Sequence, residues 1–145
     1  MYYITDNDII ETLVNNAEKS PNYNSALEIL KRRRSTLINN SYQSEVDGRF
    51  LSYGFDSVNG RWYDSKDTDR SNLIGVVACG KDSYYKCYAN QTDKNGTFEF
   101  HTINQLKNIL NDGRQKMIEL IQKKGIKISQ IESATTKEGI VSISW

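Results

Sequence analysis

Proline, cysteine and histidine are nearly missing from this chain of 145 residues: Pro21, Cys79, Cys87 and His101 are the whole supply. Each scarcity excludes something. Acid–base chemistry centred on imidazole rests on His101 alone, and its place between Phe100 and Thr102 reads as structural. The two cysteines stand outside any C-x-x-C or Cys/His cluster, so metal ligation and redox catalysis find little support. No sign of an oxidising compartment accompanies them, and a disulfide between them is not expected. No apolar run approaches the roughly eighteen residues of a membrane helix. The start Met1-Tyr-Tyr-Ile-Thr-Asp-Asn-Asp8 has no basic region followed by an apolar stretch, so the expectation is a soluble chain made in the cytoplasm without a signal peptide.

Charge of one sign is also lacking. Nineteen Lys and Arg against 18 Asp and Glu leave a formal net charge of +1, which gives no global field for nucleic acid or anionic lipid. Neither nucleic acid nor membrane is an expected partner. The basic run Lys31-Arg-Arg-Arg34 fans around about one turn of a predicted helix and reads as a solvated face. G-x-S-x-G, P-loop and G-x-G-x-x-G patterns are absent, and no spacing singles out a pair of carboxylates. The expectation is no enzyme, no catalytic residue and no cofactor.

Aromatic residues, in contrast, make up 10% of the chain, nine of them tyrosines. Tyrosine buries a large ring and keeps a wet hydroxyl, which suits a thin core or a surface that touches other proteins. A chain of this length can bury roughly two-thirds of its unfolded surface, so a core is affordable without staples.

Ile9, Ile10, Leu13, Val14 and Ala17 predict a first helix over 6–19, capped by Thr5 or Asp6. Pro21-Asn-Tyr-Asn24 is expected to break it. The Ser25-x-x-Glu28 capping box then opens a second helix through Leu27, Leu30, Leu37 and Ile38, ending near Asn39-Asn40. From Ser41 to Asp64 two or three short strands are predicted, with Asn59-Gly60 as a type I′ hairpin turn. Arg70 to Cys79 reads as a helix despite Gly75. Tyr84 to Ala89 and Thr97 to His101 flank Asn95-Gly96 as a second hairpin. Thr102-x-x-Gln105 caps a long helix carrying Ile103, Leu106, Ile109, Leu110, Met117, Leu120 and Ile121, with a break or kink expected at Gly125. Val141, Ile143 and Trp145 alternate as a closing strand.

The stretch Trp62 to Val77 is the one segment with a metal-like pattern. Asp67, Asp69 and Ser71 imitate the first three ligands of a calcium loop, but Asn72 stands where glycine is required and Ala78 where the bidentate Glu would be. A helix start capped by Asp67, Thr68 or Asp69 accounts for them, and no metal is expected.

The order Gly48-Arg-Phe, Tyr53-Gly-Phe-Asp-Ser57, Tyr63-Asp-Ser-Lys-Asp-Thr-Asp-Arg-Ser-Asn-Leu-Ile-Gly75, Gly96-Thr-Phe98 with Thr102, Ile131-Glu-Ser-Ala-Thr-Thr-Lys-Glu138 and Ile143-Ser-Trp145 resembles a small domain family of unknown function found in tail-fibre and tail-assembly proteins of tailed bacteriophages. The likeness covers roughly residues 26–145. Tyr84, Tyr85 and Tyr88, Gly125 and Gly139 depart from the family pattern. The family has no assigned catalytic residues.

The expected fold is therefore α+β: two N-terminal helices, a small antiparallel sheet built from hairpins, a long C-terminal helix packed on the sheet and a short terminal strand. Residues 1–25 form an N-terminal helical attachment segment and 26–145 the phage tail-associated domain. Tyr2, Tyr3, Ile9 and Leu13 are the partner-binding candidates. The resemblance implies a non-enzymatic virion structural protein, a tail or tail-fibre adaptor made in the host cytoplasm, binding other phage structural proteins or its own copies. Two alternatives remain open: a tail-fibre assembly chaperone not retained in the virion, and a phage-encoded enzyme or host-protein inhibitor.

Overall fold

The computed structural model describes the backbone of residues 21–145 and side chains from Asn24 onward, so the helix expected over 6–19 lies outside the described residues. In chain order the elements are α1 (Pro21–Asp47), β1 (Phe50–Ser52), β2 (Arg61–Tyr63), α2 (Asp67–Cys79), β3 (Ser83–Cys87), β4 (Thr97–His101), α3 (Ile103–Ser133) and α4 (Lys137–Val141). They form two compact units, Gln43–Ile121 and a unit of Met1–Tyr42 with Gln122–Trp145. The class is α+β with short antiparallel hairpins and a long C-terminal helix, as the periodicities predict. No helix among the described residues is long and apolar enough to cross a membrane.

In the unit of Gln43–Ile121, β1 pairs with β2 and β3 with β4 as two separate two-stranded antiparallel sheets. A single bridge joins them: Trp62 N donates to Tyr88 O at 2.8 Å and Tyr88 N to Trp62 O at 2.9 Å. Two-stranded hairpins are marginal alone, and a shared core supplies the rest. Phe50 and Tyr63 from the first hairpin, Cys87 from the second, Leu73 from α2, and Leu106, Ile109 and Leu110 from α3 are buried together. The expected packing of the long helix on the strands is present. Its start is the predicted box: Thr102 N donates to Gln105 Oε1 at 2.8 Å and Gln105 N to Thr102 Oγ1 at 3.2 Å. Gly113 lets α3 approach the first hairpin, because a Cβ there would sit 3.0 Å from Cζ of Phe50.

Several expectations are corrected. The second helix does not open at the Ser25 box: α1 already includes Pro21, because a proline's fixed φ is itself helical, and the helix that Pro21 was expected to end lies outside the described residues. Nor does α1 stop at Asn39-Asn40. It runs to Asp47, with Ile38 and Val46 both buried, and burial outweighs the weak helix propensity of two exposed asparagines. Asn59-Gly60 is not a two-residue turn: β1 and β2 pair Ser52 with Arg61, leaving an eight-residue loop of residues 53–60. Within it Asp56 Oδ1 accepts from Val58 N at 3.1 Å and Asn59 N at 3.0 Å, so an Asx-type turn shapes the loop and only Gly60 has positive φ, +70. At Gly125 α3 continues without a break to Ser133. One glycine costs a helix only about 1 kcal/mol, too little to interrupt thirty-one residues.

The unit of Met1–Tyr42 with Gln122–Trp145 holds the last correction. No terminal strand forms; Lys137–Val141 is the short helix α4, whose cap Thr136 accepts from Gly139 N at 3.0 Å through Oγ1. The alternation of Val141, Ile143 and Trp145 finds no partner strand. Instead Ile140 is buried with Ala26, Leu27 and Leu30 of α1. Trp145 meets Tyr42 edge-on at 6.3 Å, with Lys123 Nζ 4.3 Å above the indole. Lys31 of the basic run donates to the Glu132 carbonyl at 3.0 Å, which satisfies one of the orphan acceptors at the end of α3.

Candidate interaction face

The residues that invited a chemical reading are engaged in holding the fold. His101 is fully buried. Its Nδ1 lies 2.7 Å from Glu99 O, an acceptor only, so Nδ1 carries the proton and donates. Nε2 of the neutral ring then accepts from Tyr63 OH at 2.9 Å. Phe55 stacks on the imidazole at 4.2 Å. Burial lowers the His101 pKa and raises that of Tyr63, so both stay neutral near pH 7.

The acidic stretch is a helix start. It opens four residues before Ser71, at Asp67. Asp69 Oδ2 accepts from Lys66 N at 3.1 Å and Asp67 pairs with Arg70, so the two carboxylates that resembled calcium ligands have other partners. Among the described residues no three His, Cys, Asp or Glu side chains gather as a metal site. Cys79 and Cys87 are free thiols, one exposed and one buried. Tyr2, Tyr3, Ile9 and Leu13, the partner-binding candidates, lie outside the described residues.

A polar cluster ties the two hairpins together. Arg49 Nε donates to Asp64 Oδ1 at 3.1 Å, and its guanidinium lies 3.3 Å above the Tyr88 ring, whose hydroxyl donates to Asp64 Oδ2 at 2.6 Å. Arg49 Nη1 also donates to the carbonyls of Asn90 and Gln91, each at 3.2 Å. Desolvation, with the hydrogen bond to Asp64 next, pushes Tyr88 up to about 12, so it remains a donor. Below Arg49, Lys116 Nζ donates to the carbonyls of Gly48 and Arg49. Arg49, Asp64, Tyr88 and Lys116 each bond within the fold, which makes the cluster a clamp on the loop after β3.

What the clamp presents is the second hairpin. β3 and β4 pair Tyr84 with Phe100, Tyr85 with Glu99 and Lys86 with Phe98. Directly opposite residues share a face, so one side carries Tyr85, Cys87, Glu99 and His101 and the other Tyr84, Lys86, Phe98 and Phe100. The first side packs on the core. On the second, Tyr84 is 67% exposed, Phe98 69% and Phe100 53%. Tyr84 and Phe100 meet edge-to-face at 5.3 Å, and Lys86 Nζ lies 5.8 Å from the centre of Phe98. Single exposed apolar residues are ordinary, but three rings contiguous on one rigid ribbon form a patch.

Sequence reasoning placed both strands yet did not name this face. The signal was present in the alternation itself: the large apolar side chains of Thr97-Phe-Glu-Phe-His101 occupy the positions opposite to His101 and Cys87, so either the aromatics or the small and polar residues had to face outward. No family model, curated protein or solved structure matches this chain.

Proposed function

We propose that this protein is a non-enzymatic docking module that holds another protein against the Tyr84, Phe98 and Phe100 face of its second hairpin. The observation that carries the reading is that exposed cross-strand triad, since interface cores are enriched in aromatic residues and binding energy concentrates in a few rigid anchors. The engagement of His101 in structural hydrogen bonds supports the non-enzymatic half. The sequence resemblance to phage tail-associated domains gives the setting: a tail or tail-fibre adaptor, made in the host cytoplasm and retained in the virion among other phage structural proteins.

Mass spectrometry of purified particles tests the setting. The expected result is this chain at stoichiometric abundance in intact virions. Its presence in infected cells together with its absence from particles would overturn the structural-component reading in favour of an assembly chaperone. The docking half is tested separately, by copurification from the same cells of wild type and of a Phe98→Thr/Phe100→Thr variant; equal recovery of partners by both would sink it.

A further inference from the structure

A strand has two edges as well as two faces, and only one edge of β4 is in use. Trp62 and Tyr88 exchange both backbone hydrogen bonds, so the N–H and C=O of Tyr88 point toward β2 and away from β4. Backbone direction alternates along a strand, so Ser83, Tyr85 and Cys87 are the residues of β3 that bond to β4, through His101, Glu99 and Thr97. The N–H and C=O of Phe98 and Phe100 therefore point to the far edge. Among the described residues no strand pairs there, and no other group hydrogen-bonds to them. Edge strands are ordinarily guarded by Lys, Pro or a bulge. β4 has none of these: Thr97-Phe-Glu-Phe-His101 carries one charge, Glu99, half-buried on the inner side and without an ion pair among the described residues.

We infer that the second hairpin takes its partner by strand addition: an extended segment of a different protein pairs antiparallel with β4, placing a Lys or Arg opposite Glu99 and apolar residues opposite Phe98 and Phe100. The inference rests on the docking reading above and adds the partner's backbone form and chemistry. The open edge selects a strand. A helix or loop laid over Phe98 and Phe100 would shut their N–H and C=O groups away from water unpaired, which is costly, whereas an added strand bonds them all. Its residues opposite Phe98 and Phe100 emerge on the outer face against the rings, and the one between them emerges on the inner side beside Glu99. Glu99 then selects the charge. A neutral residue there would take water from the carboxylate and return nothing, while a cation supplies a charge-assisted bond. A second copy of this chain is the poorer strand. A two-fold antiparallel pairing would set Phe98 of each copy against Phe100 of the other and the two Glu99 carboxylates directly opposite, with Cβ atoms about 5 Å apart, an arrangement that destabilises a sheet. Shifting that pairing by two residues either way enlists Gly96 or Thr102, whose N–H groups already donate to Asp93 at 3.5 Å and Gln105 at 2.8 Å.

The test is a selection of random peptides displayed on yeast with the full-length protein as bait, run beside Phe98→Thr/Phe100→Thr and Glu99→Lys variants whose folding is checked by circular dichroism. Threonine keeps the strand propensity of β4. Proline-free peptides with a Lys or Arg between β-branched or aromatic residues are expected to be enriched, and to be lost on the Thr variant. On Glu99→Lys the central residue is expected to change to Asp or Glu; on Glu99→Gln, which serves if the reversal disturbs the fold, the preference for a cation is expected to vanish. Main-chain pairing is read by fluorescence anisotropy with an enriched peptide N-methylated at one amide at a time. Methylating either residue that flanks the cation, whose N–H faces Phe98 or Phe100, is expected to weaken binding about tenfold, and methylating the cationic residue, whose N–H faces away, to change it less than about threefold. Enrichment without a cationic bias, the same bias on Glu99→Lys and Glu99→Gln, or equal effects of methylation at all three amides would overturn the inference and leave the docking face standing. Enrichment equal on the Thr variant, or none above it, would overturn both. Sedimentation equilibrium showing a wild-type dimer that Phe98→Thr/Phe100→Thr dissociates would assign the edge to a second copy and likewise overturn the strand of a different protein.

Discussion

Replacing Tyr63 by Phe removes one oxygen from the centre of the Gln43–Ile121 unit and leaves the ring in place. Tyr63 is fully buried, its ring stacks on Phe50 at 5.7 Å, and among the described residues its hydroxyl supplies the hydrogen bond to His101 Nε2. With the hydroxyl gone, a buried acceptor loses its donor, which costs about 1–3 kcal/mol. The sign of the pH dependence follows from linkage. Burial holds the folded His101 pKa below its unfolded value, so this contribution to stability is fully present above about pH 6.5 and is lost as pH falls toward the folded pKa. Tyr63 OH donates to the neutral ring and, by rotating, can accept from a protonated Nε2, whereas phenylalanine would leave that buried cation without a partner. The Tyr63→Phe cost is therefore expected to be no smaller at about pH 5 than at about pH 7.5. Urea unfolding of both proteins, followed by circular dichroism at the two pH values, measures this. Because His101 is the only histidine, no other imidazole confuses the comparison. A cost below about 0.5 kcal/mol, or one that shrinks at about pH 5, would refute the hydrogen bond assigned to the pair.

Three further outcomes are expected. Gly125→Ala should stabilise by up to about 1 kcal/mol, since the glycine lies inside α3 with nothing within 4 Å of an added Cβ; a lower melting temperature would show that the helix is interrupted there after all. Gly96→Ala should lower the melting temperature, because φ is +60 and the new Cβ would approach Tyr88 Cε1 to 2.7 Å; an unchanged melt would contradict the loop geometry. Ile140→Ala should cost about 2–5 kcal/mol, as expected of a fully buried side chain, whereas a cost near that of a surface residue would restore the extended strand that the terminal alternation suggested.

The elements legible in the sequence were those with a local cause. The Thr102 box, the stripe of Leu106, Ile109 and Leu110, and the alternation of Thr97 to His101 are settled within a few residues, and each is found as predicted. The misreadings share a different cause: a local punctuation mark outvoted by packing. Asn39-Asn40 and Gly125 each weaken a helix slightly, and burial of Leu30, Ile38, Val46, Leu120 and Ile131 on the same helices is larger than those penalties. At the C-terminus, alternation over five residues was compatible with a strand, but a strand needs a partner edge and none of the described strands pairs there. The Thr136 cap was readable in retrospect, three residues before Gly139.

The interaction face stayed hidden for a related reason. Period-two alternation identifies a strand and divides it into two faces, but it does not say which face is wet. The usual rule would send Phe98 and Phe100 inward and His101 outward, and here the reverse holds because Tyr63 OH and the Glu99 carbonyl satisfy His101 in the interior. Had the rule been obeyed, the imidazole would be solvated and the rings would fill the space now taken by Cys87 and His101. The buried polar pair and the exposed aromatic triad are thus one choice of register seen from its two sides. That coupling makes the proton on His101 Nδ1 part of what keeps Phe98 and Phe100 outside. It also means that protonating Nε2 in the folded state, which burial defers to a pH below the ordinary histidine range, loosens the strand from which both rings project, so binding at the outer face is expected to weaken only at a lower pH than the one at which stability begins to fall. Anisotropy titrations of a bound peptide down to the pH at which the fold is lost would show it, and an affinity constant to that point would separate the two faces.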